Sequence, residues 1–76
     1  MDDLDSPMRG LDEPSRYAMR EITRDADGHR GTWLVASTGV SGLDDLIASA
    51  ASMGGECEVI DLDDGERVVW TNERPA

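Results

Sequence analysis

The sequence predicts a small α+β domain: a β-β-α-β-β chain whose four strands form a mostly antiparallel sheet with one helix on one face. Three observations lead there. One stretch, 41–53, carries apolar residues at helical spacing. On each side of it lie two strand-like runs joined by a turn signal, Asp25-Ala26-Asp27-Gly28 before it and Asp64-Gly65 after it. The chain has 76 residues, enough for one small domain and too few to enclose a large catalytic cleft.

Taken in order, residues 1–14 predict a disordered acidic arm, with Pro7, Gly10 and Pro14 and no sustained apolar period. Leu4, Met8 and Leu11 could form one helical turn against a partner. The folded domain is expected over 15–72. Residues 16–24 contain Tyr17, Ile22 and Thr23, which favour a strand, and alternation would set Tyr17, Met19, Glu21 and Thr23 on one face. A helix from Pro14 would instead group Ala18, Met19 and Ile22. The turn signal at 25–28 and the apolar run Thr32 to Ser37 favour a strand–turn–strand hairpin.

The helix is the best-defined element. Ser41-x-x-Asp44 resembles a capping box, and Asp44 and Asp45 would sit at the positive end of the helix dipole. Leu43, Leu46, Ile47, Ala50 and Met53 then form one apolar stripe, and Gly54-Gly55 ends it. Glu56–Leu62 predicts a third strand, with Glu58, Ile60 and Leu62 on one side and Cys57, Val59 and Asp61 on the other. Asp64-Gly65 predicts a two-residue hairpin turn, and Arg67–Thr71 the return strand. Residues 73–76 are expected to fray. One short helix covers one face of such a sheet, so Trp33, Val35, Val69 or Trp70 are candidates for the open face. That face, or a strand edge, offers a surface to a second copy.

The charge is strong and uneven. Seventeen Asp and Glu stand against seven arginines and no lysine, for a net charge of −10. Adaptation to concentrated salt would produce such a composition, since carboxylates hold water and hydrated cations. It would not concentrate the acids, yet residues 41–66 hold eight carboxylates and no base.

Several chemistries fail on the residues themselves. Thr38-Gly39-Val40-Ser41-Gly42 precedes a helix but lacks the lysine of a phosphate-binding loop, and Asp44 and Asp45 would repel phosphate. The Asp61 to Glu66 run puts Ile60 where a calcium loop needs its first Asp. His29 is the only histidine and Cys57 the only cysteine, so no defined zinc site and no internal disulfide is expected. Glu56 and Glu58 flank Cys57 and disfavour its thiolate. No catalytic, cofactor-binding or metal residue is assigned. The chain shows no apolar run of membrane-spanning length and no leader, so a cytoplasmic protein is expected.

The expected function is a non-catalytic interaction protein that meets a basic protein surface through Asp44, Asp45, Glu58, Asp61, Asp63, Asp64 and Glu66. In one version it imitates the phosphate charge of a nucleic acid. The alternative is a nucleic-acid-binding module using Arg16, Arg20, Arg24 and Arg30 with Tyr17 and Trp33 as stacking aromatics. The net charge argues against nucleic acid, and the arginines are expected to pair with the protein's own carboxylates. A third expectation is an accessory subunit whose open sheet face another chain covers.

Overall fold

A computed structural model describes residues 13–74. The arm over 1–12, with Leu4, Met8 and Leu11, and residues 75–76 lie outside the described residues. Four strands form, β1 (Tyr17–Arg24), β2 (Arg30–Thr38), β3 (Cys57–Asp61) and β4 (Arg67–Thr71), with one helix, α1 (Leu43–Ala51), between β2 and β3. The sheet order is β2-β1-β3-β4, and every neighbouring pair is antiparallel. This is the predicted α+β architecture. The hairpin choice over 16–24 holds, because β1 pairs with a strand on each side. Its tertiary pairing outweighs the local helical spacing.

The register assigns the faces. Met19 lies opposite Ala36 and Val59, and Val59 opposite Trp70, so these share one face. That face receives α1. Leu46 and Ala50 pack with Met19, Cys57 and Val59, and Tyr17, Ala36, Leu43, Ile47, Val69 and Trp70 pack around them. The helical stripe is as predicted up to Ala50. Met53 falls beyond the helix and is partly exposed.

Ala18, Arg20, Ile22, Glu58 and Ile60 lie on the other face. Two predictions of open-face aromatics are corrected by this register. Trp70 is half-buried against the core on the helix side, and Trp33, opposite Glu21, is on the helix side too but exposed, donating its indole N–H to Glu21 at 2.7 Å. The exposed apolar residues of the open face are Leu34 and Val68. The reason is a bulge in each outer strand. Met19 and Arg20 face Ala36 and Leu34, leaving Val35 over, and Val59 and Ile60 face Trp70 and Val68, leaving Val69 over. Each extra residue reverses the in-and-out alternation of the strand beyond it, which single-strand periodicity cannot foresee.

Three local expectations also change. Ser41 does not cap α1. A short 3-10 turn, Val40–Gly42, precedes the helix, Gly42 is its N-cap, and no side chain caps it. Ser41 N and Oγ donate instead to Glu13 at 3.1 and 2.9 Å. The β3–β4 connection is longer than a two-residue turn. Leu62–Asp64 make a 3-10 turn, Asp61 caps it by accepting from Asp63 N, and Gly65 and Glu66 both take left-handed backbone, at φ 62° and 63°. Glu73 and Arg74 are held: Glu73 accepts from Arg24 and Arg30, and Arg74 N donates to Glu56.

Candidate functional site

Tyr17, Thr38, Asp61 and Arg67 are register neighbours, so the start of β1, the end of β2, the end of β3 and the start of β4 lie at one end of the sheet. Each segment that leaves the sheet there carries acid. The segment before β1 brings Glu13, the β2-to-α1 connection leads to Asp44 and Asp45 in the first helical turn, and the β3–β4 loop brings Asp63, Asp64 and Glu66. With Asp61 this makes an acidic pole of seven carboxylates from three separate segments. A cleft of about 390 Å³ opens at this pole, lined by Glu13, Pro14, Ser15, Arg16, Val40 and Asp63.

The seven sequence-predicted acidic residues divide into two kinds. Glu58 and Asp61 are buried, at 3% relative exposure each, and serve the fold. Asp61 accepts from Arg16 Nε at 2.8 Å and Nη2 at 3.1 Å as well as from Asp63 N. The Arg16 guanidinium holds its carboxyl below the ordinary value, against an opposing effect of burial. Glu58 leaves the pole altogether and stands in mid-sheet on the open face. Asp44, Asp63, Asp64 and Glu66 are exposed, and Asp45, beside Asp44 in the first helical turn, is half-buried. Of these, Asp64 pairs with Arg67 at 2.6 Å and Glu66 with Arg20 at 3.2 Å. Asp63 is 67% exposed, and its ion-pair contact to Arg16 is long at 3.6 Å. Asp63 and the exposed Asp44 at the helix start therefore carry much of the outward charge of the pole.

The four arginines of the alternative interface are engaged internally. Arg20 contacts Glu58 at 2.6 Å and Glu66 at 3.2 Å. Arg30 contacts Glu58 at 2.9 Å and Glu73 at 2.8 Å, and Arg24 contacts Glu73 at 2.7 Å. The result is one ladder across the open face: Glu66–Arg20–Glu58–Arg30–Glu73–Arg24. Arg30, by its hydrogen bonds, holds Glu73 below the ordinary carboxylate value, and Glu73 and Glu58 together raise Arg30 above the ordinary guanidinium value. Arg16 binds Asp61, and its guanidinium lies 5.3 Å from the Tyr17 ring centre. Tyr17 and Trp33 lie on the helix side, whereas Arg20 and Arg24 lie on the other, so the aromatics and those arginines do not share a face.

Two remaining groups can be placed. Cys57 is fully buried, and burial raises its thiol pKa, with Glu21 adding a smaller effect. The expectation that the thiolate is disfavoured stands, but the main cause is desolvation rather than the flanking glutamates. Asp25, Asp27 and His29 in the β1–β2 turn bring ligand-type atoms within 4.8 Å of one another, a cluster not singled out from the sequence. Its Asp25 is occupied with the turn itself, accepting from the backbone N–H of Asp27 and of His29 at 2.9 Å each. The spacing Asp-x-Asp-x-His was the available signal.

No helix among the described residues is long and apolar enough to cross a membrane. Comparison with known proteins finds no matching family model, no matching curated protein and no matching solved structure.

Proposed function

We propose that this chain is a small non-catalytic interaction protein that docks its acidic pole on a basic protein surface, in one version by standing in for nucleic-acid phosphates. The observation that supports this is the convergence of Glu13, Asp44, Asp45, Asp61, Asp63, Asp64 and Glu66 at one end of the sheet, where the described arginines that contact them are Arg16, Arg20 and Arg67. Exposed carboxylates so concentrated steer a cationic partner and fix its orientation more than they add raw affinity. The arginines lend the competing nucleic-acid interface no support, since each is already held by a carboxylate of the same chain. A cytoplasmic setting belongs to the same proposal and agrees with a single free cysteine.

The test immobilises the full chain and captures partners from a lysate of the source cells in dilute buffer, where circular dichroism first establishes that it is folded. The double variant Asp44→Lys/Asp63→Lys should lose the captured protein. Asp27→Lys/Glu56→Lys, of equal net charge, should retain it. Equal capture by both variants would remove the pole from the function.

A further inference from the structure

We propose that two copies of this chain associate by pairing their β2 strands antiparallel about a two-fold axis near Thr32, joining two four-stranded sheets into one. This is independent of the acidic pole. Strand β2 is the nine-residue edge of the sheet. Natural edges are usually protected by charge, by proline or by brevity. The opposite edge, β4, has five residues and opens on Arg67. Strand β2 also opens on an arginine, Arg30, but from Gly31 to Leu43 thirteen residues follow without a charged side chain, in a chain that is 32% charged. On that run Trp33 is 59% exposed, Leu34 61% and Val35 40%, three consecutive large apolar residues on an unpaired edge.

A second copy fits this edge better than a basic partner does. A cationic surface is drawn to the pole, where the carboxylates are, and gains nothing electrostatically from a neutral strand. For a molecule of net charge −10, the neutral strand is the place where the residues directly across the contact carry no carboxylate, from Arg30 to Leu34 on both copies. Strand β2 also matches itself. The Val35 bulge leaves Arg30–Leu34 in unbroken register with β1. Pairing that stretch about Thr32 sets Trp33, whose indole is bonded back to Glu21, opposite the other copy's Gly31, a residue with no side chain to crowd it. It sets Leu34 opposite the other copy's Arg30. The two Thr38 residues, which mark the acidic poles, are then twelve residue steps apart, about 40 Å at strand rise. That is several Debye lengths at physiological salt, about 8 Å each, so pole does not face pole; each pole end instead lies beside the other copy's turn at 25–29, and this is the repulsion that added salt screens.

The test is sedimentation equilibrium of the full chain from micromolar to millimolar concentration, in about 0.1 M and about 1 M KCl, where residual repulsion is screened. A monomer–dimer equilibrium shifted toward dimer by salt is expected. Leu34→Arg, on an exposed site, should weaken it about 100-fold, since two leucines per dimer lose their burial and each new arginine faces Arg30. Leu34→Glu should weaken it less than Leu34→Arg although it makes each copy more acidic, because the new carboxylate faces Arg30. Val68→Arg, on the open face away from β2, should leave it unchanged. A monomer under all conditions overturns the proposal. So does a dimer that Leu34→Arg leaves intact, one that Val68→Arg dissolves, or one that Leu34→Glu dissolves more fully than Leu34→Arg. The pole variant Asp44→Lys/Asp63→Lys should still dimerise, so failure of the pole and failure of the edge are read separately.

Discussion

Glu58 is the carboxylate whose loss should matter most to the fold. Its side chain is 4% exposed and receives Arg20 Nε at 2.9 Å, Arg20 Nη2 at 2.6 Å and Arg30 Nη2 at 2.9 Å. Substitution Glu58→Gln keeps the shape and one carbonyl acceptor but removes the charge that both guanidinium groups face. Removing one partner of a fully buried pair costs about 3–5 kcal/mol. Here Arg20 and Arg30 are 26% and 41% exposed, so both can recover some hydration and the full penalty does not apply. A loss of about 2 kcal/mol is expected, against a total of about 3–9 kcal/mol for some 60 ordered residues. In urea, with a slope near ~1 kcal/mol/M for so small a domain, the midpoint should fall by about 2 M. A double-mutant cycle with Arg20→Met isolates the pair, and a coupling above about 1 kcal/mol is expected. The loss should persist in about 1 M KCl, because a buried pair is screened far less than an exposed one. A midpoint within about 0.5 M of the parent, in a variant with an unchanged circular dichroism spectrum, would refute the view that the ladder is a structural element.

Acid should weaken the fold through the carboxylates that arginines hold. Asp61 and Glu73 titrate below their ordinary values of 3.8 and 4.5 in the folded chain, chiefly because Arg16 and Arg30 hydrogen-bond to them. The unfolded chain therefore binds more protons in that range. Their contribution is fully present above the ordinary values and is lost as pH falls through the depressed ones. Urea midpoints should be flat from about pH 7 to about 5 and then decline below about 4.5, less steeply in Arg16→Gln; equal slopes for variant and parent would sink the assignment. Gly65→Ala should cost about 1 kcal/mol by chemical denaturation, because Gly65 sits at φ 62° and a Cβ there meets nothing within 4 Å, leaving backbone strain as the cost. No measurable loss would mean the loop re-forms around another turn.

The elements were legible because their signals are local. Helical spacing from Leu43 to Ala50 needs no neighbour to be read, and neither do the runs that became β2 and β4. The site was less legible. Seven acidic residues could be picked from one block of sequence, but Glu58, next to Cys57 and three residues from Asp61, behaves unlike Asp63 because Arg20 and Arg30 reach it from 38 and 28 positions away. Glu13 joined the pole from outside the block, through its bonds to Ser41. Ser41 itself had the right spacing for a cap, and the 3-10 turn at Val40–Gly42 moved it out of place.

By itself the sequence determined where the four strand segments and the helix lie, the kind of each except 16–24, the apolar stripe of α1, the net charge and its concentration after Ser41. These depend on residue type and on periods of two or 3.6, which a single strand or helix carries alone. Only the tertiary structure decided the order β2-β1-β3-β4, the face each aromatic takes, which carboxylates are buried with arginines and which face water. Strand order and register are properties of pairs of strands, and an added residue in β2 or β4 reverses the faces only relative to its neighbour. Ion pairing likewise joins side chains distant in sequence. The fate of a carboxylate is thus set by what the fold brings opposite it, and not by the charges beside it in the chain.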